Sequence, residues 1–164
     1  MKELKIRNVS KNDLDYVTKI EAACFPAAEA ATKNIFEERI SVFPEGFFVA
    51  ELNNEIIGFI NGGVTNKNSI EDDFFESMNL HIPNGDNIVI FGLDVHPKYQ
   101  NKGYAKELMN HFIESSKKTS RKKVLLTCKE HLIKYYEGFG YLNDGVSESE
   151  HGGAKWYDMY LELK

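Results

Sequence analysis

The hexapeptide Gln100-Asn101-Lys102-Gly103-Tyr104-Ala105 constrains this chain more than any other feature. Before it runs Asn87–Val95, NIVIFGLDV, an apolar segment that reads as a strand. After it, Ala105, Leu108, Met109, Phe112 and Ile113 fall at helical spacing. A small-residue turn therefore sits where a strand hands over to a helix. The first N–H groups of such a helix have no intrahelical partner and carry the positive end of the helix dipole, which suits an anion. Gly103 and Ala105 let that anion approach the backbone. The same spacing also describes an ordinary strand–turn–helix junction, so the turn needs support from elsewhere in the chain.

The rest of the chain bounds the alternatives. Its 164 residues, 42% hydrophobic and 27% charged, suffice to bury one core, and one domain over 1–164 is expected. No stretch of 18 residues is uniformly apolar, and Met1 to Val9 is charged and strand-like. The expectation is a soluble, cytoplasmic chain with no membrane partner. A net charge of -5 supplies no broad basic face, so nucleic acid is not an expected partner. The one basic run, Lys117-Lys118 with Arg121-Lys122-Lys123, reads as favourable charge at a helix C-terminus, with a landing patch for nucleotide phosphates as the alternative. Cys24 and Cys128 match no metal spacing, the five histidines form no ligand cluster, and no metal is expected.

Hydrophobic periodicity orders the elements as β α α β β β α β α β β. Leu4–Val9 is a strand, and Ser10 with Asp13 caps the helix that carries Leu14, Val17 and Ile20. A second helix covers about Asn34–Val42. Phe47–Leu52 and Ile56–Val64 form a hairpin across Asn53-Asn54. Asn66–Asp86 reads as polar and irregular, with a short helix over Asp72–Met78 capped near Ser69. After the NIVIFGLDV strand come a long helix over about Lys102–Lys118, a strand at Lys123–Thr127 and a short helix at Leu132–Phe139 stopped by Gly140. Tyr141–Val146 and Trp156–Leu163 are the last strands, joined by the loop Ser147–Ala154. The fold class is mixed α/β around one central sheet flanked by helices. A right-handed crossover should make the strands on either side of the long helix parallel.

Leu93-Asp94-Val95-His96-Pro97 followed by Tyr99-Gln100-Asn101-Lys102-Gly103-Tyr104-Ala105 resembles the acetyl-CoA signature of the GNAT family of N-acetyltransferases. Its pattern is read at Gln100, Gly103 and Ala105. A second segment, Tyr135-Tyr136-Glu137-Gly138-Phe139-Gly140-Tyr141, resembles the family's late helix, which carries a tyrosine and ends in Phe-Gly-Tyr. The element order is similar to that fold over essentially the whole chain. The likeness implies a largely antiparallel sheet with a parallel, splayed pair of strands. Cys128-Lys129-Glu130 through Tyr141, and Leu93-Asp94-Val95-His96, are similar to the arylalkylamine N-acetyltransferase branch.

The resemblance implies direct transfer of acetyl from acetyl-CoA to an amine. It assigns the pyrophosphate to the N–H groups of Asn101, Lys102, Gly103, Tyr104, Ala105 and Lys106. Leu93, Asp94 and Val95 would present backbone groups to the acetyl and pantetheine arm, as an added strand would. Tyr136 is the expected general acid to the departing sulfur, with neighbouring Tyr135 able to be mistaken for it. Relatives carry a proton acceptor on the central strand where this chain has Val89 and Phe91. Either water relays the proton or another group serves, with Glu29, Asp94 and Glu130 the candidates, each also readable as a solvated surface carboxylate. Phe25, Glu29 and Thr127 are expected to touch the acceptor. Phe47, Phe48, Phe74 and Phe75 read first as core, and Glu71 with Asp72-Asp73 as a solvated acidic loop. A small amine is the leading acceptor, a protein N-terminus or lysine the second, and a non-catalytic CoA-binding module the third. The protein would be a monomer or a homodimer.

Overall fold

The computed structural model describes residues 3–163. Among them, seven strands form one sheet in the order β1-β2-β3-β4-β5-β7-β6. These are β1 (Leu4–Asn8), β2 (Phe47–Leu52), β3 (Glu55–Thr65), β4 (Asn87–Val95), β5 (Lys123–Cys128), β6 (Leu142–Val146) and β7 (Tyr157–Glu162). The helices are α1 (Leu14–Cys24), α2 (Lys33–Val42), α3 (Asp72–Glu76), α4 (Tyr104–Lys118) and α5 (Ile133–Glu137). The pair β4–β5 is parallel and every other neighbouring pair is antiparallel. No helix among the described residues is long and apolar enough to cross a membrane.

Local chemistry explains the main elements. Asn53 and Asn54 both have positive φ, 53° and 65°, the turn that a two-residue hairpin between right-twisted strands requires. Asp13 accepts the Ser10 backbone N–H at 2.7 Å and closes a capping box, while Arg7 reaches it with both Nη1 and Nη2 and ties β1 to the start of α1. The α3 segment starts from Glu71, not Ser69, and no side chain caps it. In α4 the buried positions Leu108, Met109, Phe112, Ile113 and Ser116 form one stripe against the sheet.

Two cores result. On the α4 face, Phe48, Ile60, Ile90, Leu108 and Phe112 pack together, and Tyr136 of α5 joins their rim. On the opposite face, α1 and α2 bury Val17, Ile20, Phe36 and Ile40 against Phe47, Val49 and Phe59, and α3 lays Phe74 and Phe75 over Val89 and Leu125. Each fully buried aromatic among these contributes about 1.5–3 kcal/mol of burial.

Candidate active site

The site begins with a distortion in β4. Asn61 of β3 pairs with Gly92 and Gly62 pairs with Ile90, so Phe91 is an extra residue on the bulged strand. Such bulges bend a strand and increase its twist. Gly62 permits the close approach, because a Cβ there would stand 2.0 Å from the Val89 carbonyl oxygen. The bend turns β4 away from β5. The two strands pair only at Asn87–Lys123, Ile88–Val124 and Val89–Leu125, and then part.

A cavity of about 540 Å³ fills the opening. Ile90, Phe91, Gly92 and Leu93 line one arm, and Leu126, Thr127, Cys128 and Lys129 the other. Tyr136 lines the cavity, whereas Tyr135 does not and stays 42% exposed, which separates the two adjacent tyrosines. The Tyr136 ring packs edge-on against Tyr135 and Tyr141, with centroids 5.2 and 6.0 Å away. Burial, then the neighbouring Cys128 and Tyr135, pushes its phenol well above the ordinary range. The hydroxyl therefore keeps its proton throughout neutral pH and can only donate to an incoming anion.

Below the opening, the Gln100–Ala105 loop leads into α4. Asn101 and Gly103 take positive φ, 62° and 87°, and Gly103 is the helix N-cap with no side-chain partner. A Cβ on Gly103 would meet nothing within 4 Å, so the backbone faces open space. The Gln100 side chain turns back and donates to the Val95 carbonyl at 2.9 Å, which also accepts from the Cys24 thiol at 3.2 Å. The Val95 carbonyl is thus already engaged within the chain.

Above the opening lies a roof made of the β6–β7 loop. Asp72 accepts hydrogen bonds from the Ser149 hydroxyl and from the Glu150 N–H. His151 stacks on Phe75 with ring centroids 4.8 Å apart, and its Nε2 sits 2.9 Å from the Glu29 carbonyl. Trp156 donates to the His151 carbonyl at 2.8 Å. Lys129 bridges to Glu29 Oε2 at 2.9 Å, which joins β5 to the α1–α2 loop.

The floor carries charge inside the protein. Asp94 is 1% exposed and Glu21 7%. Arg39, also buried, donates to Asn61 Oδ1 at 3.0 Å and to the Phe75 carbonyl at 2.8 Å, and its guanidinium lies 4.2 Å from the Phe91 ring centre. Among the described residues, no group of three or more His, Cys, Asp or Glu could hold a metal ion.

Residues 14–141 match the model of the Acetyltransferase (GNAT) family, which is more than half of the chain. The chain belongs to the GNAT acetyltransferase family. Two proteins of Bacillus subtilis (strain 168) are similar to it. "Probable hydrolase YhcX" is 30% identical over 106 residues, covering 60% of this chain and 21% of that protein. "Uncharacterized N-acetyltransferase YkwB" is 26% identical over 122 residues, covering 68% and 54%. The GNAT chain thus spans about a fifth of the first relative and about half of the second. The loading GNATL domain of CurA from Lyngbya majuscula superposes with a TM-score of 0.85 over 98% of both chains at 14% identity, which is a likeness of fold.

Leu93, Gln100, Tyr136, Phe25, Glu29 and Thr127 converge on the one cavity. Asn101, Lys102, Gly103, Tyr104, Ala105 and Lys106 form the exposed loop and first turn beneath it. Two carboxylates differ from the solvated reading. Asp94 is buried under α1 and α2, opposite Phe59, and the Glu29 side chain is 8% exposed in its bridge to Lys129. Asp72 is not a free acidic-loop residue either, because it holds the roof. Glu130 is exposed at the surface. Phe75 lines the cavity, while Phe47, Phe48 and Phe74 are core. Val89 and Phe91 are indeed apolar neighbours of α3. Sequence reasoning missed Glu21, Arg39, His151, Lys129 and Trp156. A signal existed for two of them. Glu21 follows Val17 by one turn on the apolar stripe of α1, and Arg39 sits between Phe36 and Ile40 on that of α2.

Proposed function

We propose that this chain is an acetyl-CoA-dependent N-acetyltransferase that moves acetyl directly to a small primary amine. The observation that carries this reading is the cavity itself. It lies where β4 and β5 part, presents Tyr136 at one side and is roofed on the other by the Asp72-anchored loop. Family membership supplies the acyl donor. The residues fit that donor. The open backbone at Gly103, the free first N–H groups of α4 and the dipole of a long helix suit a pyrophosphate. The unpaired edge of β4 beyond Val89 suits the amides of the pantetheine arm.

In this reading Asn101 to Lys106 bind the phosphates, and Leu93 with its neighbours Asp94 and Val95 orients the thioester by backbone groups other than the Val95 carbonyl, which Gln100 and Cys24 occupy. Tyr136 serves the leaving group, in the place expected of the general acid, as a hydrogen-bond donor. Its hydroxyl, kept protonated by burial, donates to the sulfur as the C–S bond breaks. Phe25, Phe75, Phe91 and Trp156 give the acceptor end aromatic walls, and Glu29 and Thr127 give it polar contacts. Those walls suit an arylalkylamine, in keeping with the branch likeness of Cys128–Tyr141, and the acidic net charge favours a cationic amine such as a polyamine. The roof favours a small molecule over a protein N-terminus or lysine, because a polypeptide needs an open groove.

The test is free-thiol release from acetyl-CoA against a panel of aryl amines, polyamines and short peptides. The expected result is turnover with small amines and none with peptides. Preferential turnover of peptides would overturn the small-acceptor reading. Opening the roof with Asp72→Ala should then raise KM for the small amine while leaving acetyl-CoA affinity unchanged.

A further inference from the structure

We infer that Glu21 and Asp94 form a buried carboxylate pair that takes up the proton of the acceptor amine, Glu21 as the receiving group and Asp94 as its positioning partner. The inference rests on the N-acetyltransferase reading above and supplies the proton acceptor that Val89 and Phe91 do not provide.

Geometry brings the two groups together beside the cavity. Glu21 and Gly92 both line it. A Cβ built on Gly92 would stand 3.2 Å from Asp94 Oδ1, 3.7 Å from Asn61 Nδ2 and 3.9 Å from Glu21 Oε1. The two carboxyls therefore converge behind the one residue of β4 that has no side chain to screen them.

Hydrogen bonding then fixes their proton count. Both Asp94 oxygens are buried and find no donor among the described residues. Glu21 uses Oε2 to accept the Ala31 N–H at 2.8 Å. Two bare carboxylates converging on one buried spot repel and leave Asp94 unsatisfied, whereas one proton on Asp94 lets it donate to Glu21. Burial first, and the Glu21 charge second, holds the Asp94 carboxyl well above the usual range, with Arg39 opposing. A pair holding one proton carries one negative charge, which Arg39, the one buried Lys or Arg among the described residues, balances.

The other groups facing the pair do not compete for the proton. Cys24 on α1 is pushed up to about 12 by burial first and by the negative charge shared by the Asp94–Glu21 pair second, so its thiol is already protonated. Glu38 on α2 is engaged with the Met78 N–H at 2.7 Å. Tyr136 on α5 keeps its own proton. Glu21 Oε1, at the cavity wall, keeps a second lone pair for the incoming proton. In the reaction an amine N–H bond breaks and its proton goes to Glu21, the N–C bond forms and the C–S bond breaks. The thiolate, held by the Tyr136 hydroxyl, takes a proton from solvent, and the pair returns one, so amine and thioester give amide and thiol with no net proton change.

The test combines turnover with a signature of the pair itself. Glu21→Gln keeps an oxygen for the Ala31 N–H and should lower kcat roughly 100-fold or more, a range set by general-base loss. Acetyl-CoA affinity should be unchanged, and Glu21→Asp, which keeps a carboxylate, should recover part of the rate. Asp94→Ala should lower kcat without changing KM, because Glu21 loses the donor that orients it, and Asp94→Asn should restore the rate in part. Infrared difference spectra should show a protonated carboxyl C=O stretch at neutral pH in the wild type and not in Asp94→Asn, with melting curves confirming that each variant is folded. An active enzyme without that band, or Glu21→Gln with wild-type kcat, would overturn the pair. No thiol release from any amine would overturn the transferase reading, and the pair's role with it.

Discussion

Replacing Tyr136 by Phe removes one hydroxyl and little else. The ring keeps its edge-on contacts with Tyr135 and Tyr141, and the backbone carbonyl still accepts from the Phe139 and Tyr141 N–H groups at 3.0 and 3.3 Å. Stability should therefore change little. The chemical loss is larger. Burial raises the phenol beyond its usual range of about 10, whereas a thiol ionises near 8.5, so full proton transfer to the thiolate is uphill. The hydroxyl acts by donating a hydrogen bond to charge that develops on sulfur as the bond breaks. Losing one such preorganised donor costs about 2.7–4 kcal/mol, or roughly 100- to 1000-fold in kcat. Thiol release under saturating acetyl-CoA measures kcat, and calorimetric titration measures affinity. A tenfold loss of acetyl-CoA affinity with proportionate loss of rate would make Tyr136 a binding residue, and a kcat within threefold of wild type would refute its role in the chemistry. The same raised value predicts that the wild-type kcat shows no alkaline fall from this group near the usual phenol range.

Other perturbations test separate parts of the structure. Gly103→Ala should cost about 1 kcal/mol of stability for its positive φ; because the added Cβ meets nothing in the chain, any further loss of acetyl-CoA affinity reports the phosphate on that turn, and unchanged affinity places it elsewhere. Arg7→Met leaves Asp13 buried without its bidentate partner and should lower stability by about 2–3 kcal/mol in urea unfolding, with a loss under 0.5 kcal/mol contradicting the role given to this pair. Burial alone would raise the Asp13 carboxyl, but Arg7 and the Ser10 N–H hold it below the usual range, so its contribution is present above about pH 4 and is lost as pH falls through the depressed value. Asp94 has the opposite sign: its native form binds the extra proton, so wild-type stability should decline as pH rises above the ordinary carboxyl range, and Asp94→Asn should lack that decline in melting curves taken across pH.

The parts of the fold set by local chemistry were legible in the sequence. The Asn53-Asn54 hairpin, the apolar stripe of α4 and the glycine stop at Gly140 each follow from one turn or one period, and the parallel β4–β5 pair follows from the handedness of a crossover. The turn from Gln100 to Ala105, proposed to hold the phosphates, was legible as a turn for the same reason, since it is contiguous in the chain. The floor and roof were not. Glu21, Arg39 and Asp94 lie on three elements and acquire meaning only when α1, α2 and β4 bury them together. Asp72 and Ser149, or Glu29 and Lys129, are far apart in the chain and are joined only by tertiary contact. A charged residue on an apolar stripe was the available signal, and it points to a buried site without naming its partner.

The central claim is that the opening between β4 and β5 binds acetyl-CoA and delivers its acetyl group to an amine. It is tested most directly by titrating the protein with acetyl-CoA in a calorimeter and then adding amines while following free thiol and acetylated product together. Saturable binding, with thiol and N-acetyl product appearing in equal amounts, is the predicted result. No binding of acetyl-CoA would contradict the reading of Asn101–Lys106, and binding without product from any amine would make the domain a CoA-binding module with no transfer chemistry.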